Sequence, residues 1–191
     1  MDAVSHVLLM LAIGYLCGSI PFARLFTFHT GVDLFSTGTG NPGAANVFRR
    51  VGKRVGIAVL IADGLKGAAP VVITRMMGSP EDILVIGGAA AIAGHWFPLF
   101  NRFRGGAGLA TGTGAAIALM PWAGIIGCTV GFLVIAKWKS SGHAALVGLV
   151  VILALAIPIG YEWPAMAAAS GFASALAIRG FARGWKPGRK D

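Results

Sequence analysis

The stretch Ser36 to Arg50, STGTGNPGAANVFRR, gathers the residue types that hold an anion. Gly38, Gly40 and Gly43 let backbone N–H groups converge; Thr37 and Thr39 add hydroxyls, Asn41 and Asn46 add amides, and Arg49 and Arg50 add planar, charge-assisted donors. A solvated loop whose basic end only follows membrane topology is the competing reading. A second glycine-rich basic run, Asn101 to Gly108 (NRFRGGAG), holds Arg102, Arg104, Gly105, Gly106 and Gly108. Between the two lie Asp63 and Lys66, three residues apart and so on one helix face, read either as functional or as a mutually neutralising pair. His95, in GHWFPLF just before the second run, could move a proton, order a phosphate, or simply pack. No Ser-His-Asp order, paired catalytic carboxylates, metal-ligand cluster or GxxxxGK[ST] phosphate loop is visible, so neither a metal nor a nucleotide is expected. Two basic glycine-rich loops at a membrane face suit a substrate that is phosphorylated and lipid-derived.

The elements that must position these loops are apolar helices. With 191 residues, 56% hydrophobic, 12% charged and a mean hydropathy of +0.77, the chain is too apolar for a small soluble core. It reads as an all-α integral membrane protein forming one domain over 1–191. The net charge of +9 falls in short clusters rather than one stripe, which points to topology and anionic lipid and away from nucleic acid. Cys17 and Cys128 sit in apolar runs with no paired spacing and read as packing residues. Lacking a basic n-region, the amino terminus reads as a retained first helix. Seven spans are expected, at about 4–28, 55–73, 83–100, 106–120, 122–137, 144–159 and 165–180, with a kink at Pro21 and a split at Pro121. The connecting loops 29–54, 101–108 and 138–143 and the tail 179–191 then carry nearly all the Lys and Arg on one side, while Arg75 joins Asp2, Glu81, Asp82 and Glu162 on the other. The positive-inside rule puts the amino terminus outside, the carboxyl terminus in the cytoplasm and both glycine loops on the cytoplasmic face.

Gly18-Ser19-Ile20-Pro21-Phe22, Gly31-Val32-Asp33, Gly38-Thr39-Gly40-Asn41, Gly43-Ala44, Asn46, Arg49, Gly52-Lys53, Asp63, Lys66-Gly67, Gly94-His95 with Phe97-Pro98, and Arg104-Gly105-Gly106 with Gly108 form an ordered set over roughly the first 115 residues. That set resembles the bacterial membrane glycerol-3-phosphate acyltransferases called PlsY. The resemblance implies a seven-helix protein of the bacterial inner membrane that transfers an acyl group from a fatty acyl-phosphate to the 1-hydroxyl of sn-glycerol 3-phosphate. The product is lysophosphatidic acid, made without cofactor, coenzyme A, acyl carrier protein or metal, and its partners are the two substrates and membrane lipid. The implied catalytic residues are Thr39 (at the family's serine position), Asn41, Arg49 and His95. Implied for phosphate binding are Gly38, Gly40, Asn46, Lys66, Arg104 (in place of a lysine), Gly105, Gly106, Gly108, Ser140 and Ser141. The chain departs from the family where Ala107 replaces a lysine and where Gly180 to Arg183 lack the carboxyl-terminal histidine and asparagine. Arg183 or Lys186 could compensate. The departures leave open a changed acceptor or donor, or a protein that binds or moves a phosphorylated lipid without chemistry.

Overall fold

A computed structural model describes residues 3–138 and 140–184, the side chains of Ala3, Ser141 and Arg183 excepted. Asp2, Lys139 and the tail from 185 onward, including Lys186, lie outside the described residues. Among the described residues all regular structure is helical. The first apolar run gives α1 (Ala3–Ser19) and α2 (Phe22–Thr27), followed by a 3-10 turn at Phe28–Thr30. They break at Ile20-Pro21 because proline has no N–H to continue the helical ladder. At the break the Ile20 carbonyl accepts from the Phe22 N–H at 3.1 Å and from the Lys66 ammonium at 2.8 Å. Within the segment expected as loop, Ala44–Arg50 forms α3, too short to show a hydrophobic period. Then come α4 (Lys53–Met76) and α5 (Glu81–Trp96). The latter stops before Pro98 rather than reaching Phe100, since the residue ahead of a proline avoids the helical region. Its end leads into a 3-10 turn at Leu99–Asn101. The remainder is α6 (Leu109–Leu119), α7 (Pro121–Trp138), α8 (Ser141–Ile159) and α9 (Trp163–Gly184).

Among the described residues six segments are long and apolar enough to cross a membrane: Val4–Thr30, Lys53–Met76, Glu81–Asn101, Pro121–Trp138, Gly142–Ile159 and Trp163–Ala182. This is a multi-pass membrane protein. The 11 residues of α6 fall short, since about 1.5 Å per residue leaves it well below a hydrocarbon core of about 30 Å. It is held by its neighbours instead. The Arg75 guanidinium donates to the carbonyls of Ala118 and Leu119, satisfying the end of α6.

Small residues set how the helices meet, as expected where lipid gives no hydrophobic drive between them. Gly67 of α4 lies on Thr111 near the start of α6 while Arg75 reaches its end, so these two run parallel. The α1 and α5 pair is also parallel, Gly14 meeting Gly87 and Gly94 meeting Tyr15 and Ser19. In α7 and α8, by contrast, Gly127 faces Ile152 and Gly131 faces Ala144, an antiparallel pair. Outward faces carry Leu8, Leu65, Leu133 and Val150, each more than half exposed, as a lipid-facing surface requires. One end of the bundle therefore collects the carboxyl ends of α1, α5, α7 and α9, the amino ends of α4, α6 and α8, and both glycine loops.

A Cβ added at Gly114 would sit 2.7 Å from the carbonyl carbon of Gly64, a backbone contact that can yield only by separating α4 from α6. Gly114→Ala is expected to cost about 1–3 kcal/mol, read as a fall of several degrees in the unfolding midpoint in detergent. An unchanged midpoint would mean the two helices are not in this contact.

Candidate active site

The first loop is shaped from within. Asn46, buried at the start of α3, donates its amide hydrogens to the carbonyls of Leu34 (3.2 Å) and Thr37 (3.0 Å) and accepts from the Thr39 N–H (3.3 Å). Its donors are thus consumed in folding the loop. Gly38 and Gly40 adopt φ of 62° and 68°, a region that excludes most side chains. Asp33 accepts from the Phe35 N–H at 3.0 Å and lies beside Arg104. The backbone N–H first, then the Ser36 hydroxyl and the Arg104 charge, hold its carboxyl below the usual range.

The second loop is tied by four side chains from outside it. Arg24 donates to Asn101 Oδ1 at 2.8 Å, and Asn101 in turn donates to the Arg104 carbonyl at 2.7 Å. From α9, Arg179 donates to the carbonyls of Gly106 (3.1 Å) and Trp96 (3.2 Å), its guanidinium standing over the Trp96 ring. Trp96 Nε1–H donates to the Ala107 carbonyl at 2.9 Å. Finally, Asn41 Oδ1 accepts from the Ala107 N–H at 3.1 Å, joining the two loops into one surface. Gly105 is packed so that a Cβ would meet the Trp96 carbonyl oxygen at 2.5 Å, and Gly108 takes φ 90° to begin α6.

His95 supports this surface from below. It is buried, with Nδ1 3.2 Å from Thr111 Oγ1 and 3.9 Å from Asp63 Oδ1. A methyl group at Gly106 would lie 2.6 Å from His95 Nε2 and 3.3 Å from Asn41 Oδ1, so these residues and Gly106 form one tight contact. Beneath them Lys66 pairs with Asp63 at 2.8 Å and with the Ile20 carbonyl, facing into the bundle and away from the loops' open side.

Two polar ends point outward. The side chains of Thr39 and Arg49 are exposed and make no hydrogen bond or ion pair among the described residues, which leaves them available to a ligand. Arg104 stacks 4.2 Å over the Phe35 ring with its charge unneutralised by direct pairing. Ser140 caps α8, accepting from the His143 N–H (3.4 Å) and lying 2.8 Å from His143 Nδ1. The side chain of Ser141 lies outside the described residues. Sequence reasoning assigns no site role to Arg24 or Thr111, and Asn101 enters it only as the first residue of the second glycine-rich run. Arg179 enters as a topology charge and as the arginine that opens the altered carboxyl-terminal motif.

A family model described as glycerol-3-phosphate acyltransferase matches residues 8–183. A glycerol-3-phosphate acyltransferase of Anaeromyxobacter sp. (strain Fw109-5) is 37% identical over 178 residues, covering 90% of this chain and 88% of that protein. The crystal structure of PlsY, an integral membrane glycerol 3-phosphate acyltransferase, in its glycerol 3-phosphate form superposes with a TM-score of 0.83 at 30% identity over 93% of this chain and 89% of that one. Its lysophosphatidic acid form gives a TM-score of 0.79, also at 30% identity, over 91% and 87%.

Proposed function

The chain belongs to the glycerol-3-phosphate acyltransferase family, and from that premise we propose how its two loops carry the reaction. The enzyme acylates the 1-hydroxyl of sn-glycerol 3-phosphate to give lysophosphatidic acid. The donor is a fatty acyl-phosphate. As the acceptor oxygen bonds to the acyl carbon, the acyl C–O bond to phosphate breaks, and the departing phosphate takes the hydroxyl proton. Because an acyl-phosphate is already activated, positioning and charge neutralisation can supply most of the catalysis. The observation that carries this reading is the Asn41–Ala107 hydrogen bond, which makes one surface of two basic loops from distant parts of the chain.

Arg49 and Thr39 bind the substrate's phosphate from the first loop, and Arg104 with the Gly105–Gly106 backbone does so from the second. Asn41 and His95 hold the two loops in register; Asn46, Gly38 and Gly40 shape the first, and Gly108 starts α6. Lys66 acts through the Ile20 carbonyl and Asp63 as a positioning residue. Ser140 and Ser141 remain at the mouth of α8. The lysine missing at position 107 is offset by Arg179, whose charge enters the same loop from α9. Arg179→Gln should lower kcat/KM about 10- to 100-fold by loosening that loop, and unchanged steady-state kinetics would mean that it is held without Arg179.

The single domain has seven crossings with α6 as the short fourth, the amino terminus outside and the carboxyl terminus and loops on the cytoplasmic face of the bacterial inner membrane. The alternation of helix direction and the gathering of Arg24, Arg49, Arg50, Lys53, Arg54, Arg102, Arg104, Lys137 and Arg179 at one end support this. Comparing palmitoyl-phosphate with palmitoyl-coenzyme A as donor tests the chemistry. Acylation from the phosphate alone is expected; equal use of the thioester would overturn the assignment of the donor.

A further inference from the structure

A cleft of about 510 Å³ lies on the outer flank of the joined loops. Its walls include Arg24, Arg102 and Arg104 together with Asp33, Phe35 and Asn101. None of Thr39, Asn41, Arg49, His95 or Gly106 lines it; of the residues assigned to the substrate's phosphate only Arg104 does.

The charges do not cancel. Three guanidinium groups face one carboxylate, and Asp33 Oδ1 already accepts from the Phe35 N–H. Arg24 gives one N–H to Asn101, whereas Arg102 makes no hydrogen bond or ion pair among the described residues. Arg102, in the cleft wall, and Phe103 after it hold φ of 53° and 58°, a left-handed pair without glycine. This arrangement presents Arg102 in an open concavity rather than against a partner.

Two aromatic rings, Phe28 and Phe35, line the cleft, and Phe28 is 77% exposed. Phe100 and Phe103, adjacent in sequence to the lining residues Asn101, Arg102 and Arg104, are 56% and 58% exposed. Aromatic rings beside arginines are what a headgroup-level site needs: rings among acyl chains and guanidinium groups on phosphate oxygens.

We propose that this cleft is a second anion site that takes the phosphate of an anionic membrane phospholipid. The claim stands on the cleft itself and does not depend on the acyl-transfer reading.

The test uses the full chain, delipidated in neutral detergent, with native mass spectrometry following phosphatidylglycerol against phosphatidylcholine. Inorganic phosphate serves as competitor. Arg102→Gln and the double variant Arg24→Gln, Arg102→Gln are compared with wild type. Arg102→Gln should weaken phosphatidylglycerol binding about tenfold, as expected for one charge-assisted phosphate contact, with phosphatidylcholine binding and acyl transfer unchanged. The double variant should weaken it further. Unaltered phosphatidylglycerol binding in both variants, or no preference over phosphatidylcholine, would overturn the proposal. Displacement by inorganic phosphate at equal concentration would assign the cleft to free phosphate and overturn the lipid claim. Turnover measured on the same samples separates failure of this site from failure of the acyltransferase reading.

Discussion

Arg49→Ala is expected to yield a folded protein whose turnover falls about 10²- to 10³-fold, the loss typical when one donor to developing charge is removed. The physical case is an asymmetry of partners. Arg49 lies on the exposed side of α3, with no hydrogen bond or ion pair among the described residues, so truncation breaks nothing that holds the fold. Substitutions of that kind usually stay within about 0.5 kcal/mol in stability. Asn46, three residues earlier on the same helix, is the opposite case, since its amide is consumed by Leu34, Thr37 and Thr39. Kinetics and the unfolding midpoint, taken together, check the claim. A normal rate would remove α3 from the mechanism; a collapsed midpoint would make Arg49 a structural residue.

Gly106→Ala should also abolish most activity, by geometry instead of charge. The added methyl would lie 2.6 Å from His95 Nε2 and 3.3 Å from Asn41 Oδ1, where no side chain fits without moving one of them. His95 is fixed by Thr111, so the loop must lift, weakening the Asn41–Ala107 bond that joins the two loops. A displacement near 1 Å at a positioned reactant costs about 10²-fold in rate, with little change in the helices beneath. Steady-state rates of Gly106→Ala beside wild type decide this. A rate within about twofold would show that the loop's register does not matter to the reaction.

How far the sequence spoke depended on whether a role was local. Glycine and arginine clusters marked both loops, and Pro21 and Pro121 marked breaks that the helices obey, because these residues act through their own backbone or charge. The segment Ala44–Arg50 gave no helical signal, being seven residues long with only Asn46 and Val47 buried. The hydrogen bonds of Asn46 to Thr37 and of Lys66 to Ile20 could not be read from residue type, because they join segments well apart in the chain. Arg179 and Gly106 meet only through the fold, since the bond between them spans 73 residues of chain. Ser140, which the family resemblance offers as a phosphate ligand, is in addition the amino-terminal cap of α8, a contact its position before an apolar helix announces.

The most direct measurement is acylation by the purified protein in detergent, with palmitoyl-phosphate and labelled glycerol 3-phosphate, taking Arg49→Ala as the blank. Labelled lysophosphatidic acid well above that blank is the predicted result. Folded wild-type protein that forms no labelled product, or no more than the blank, would contradict the account.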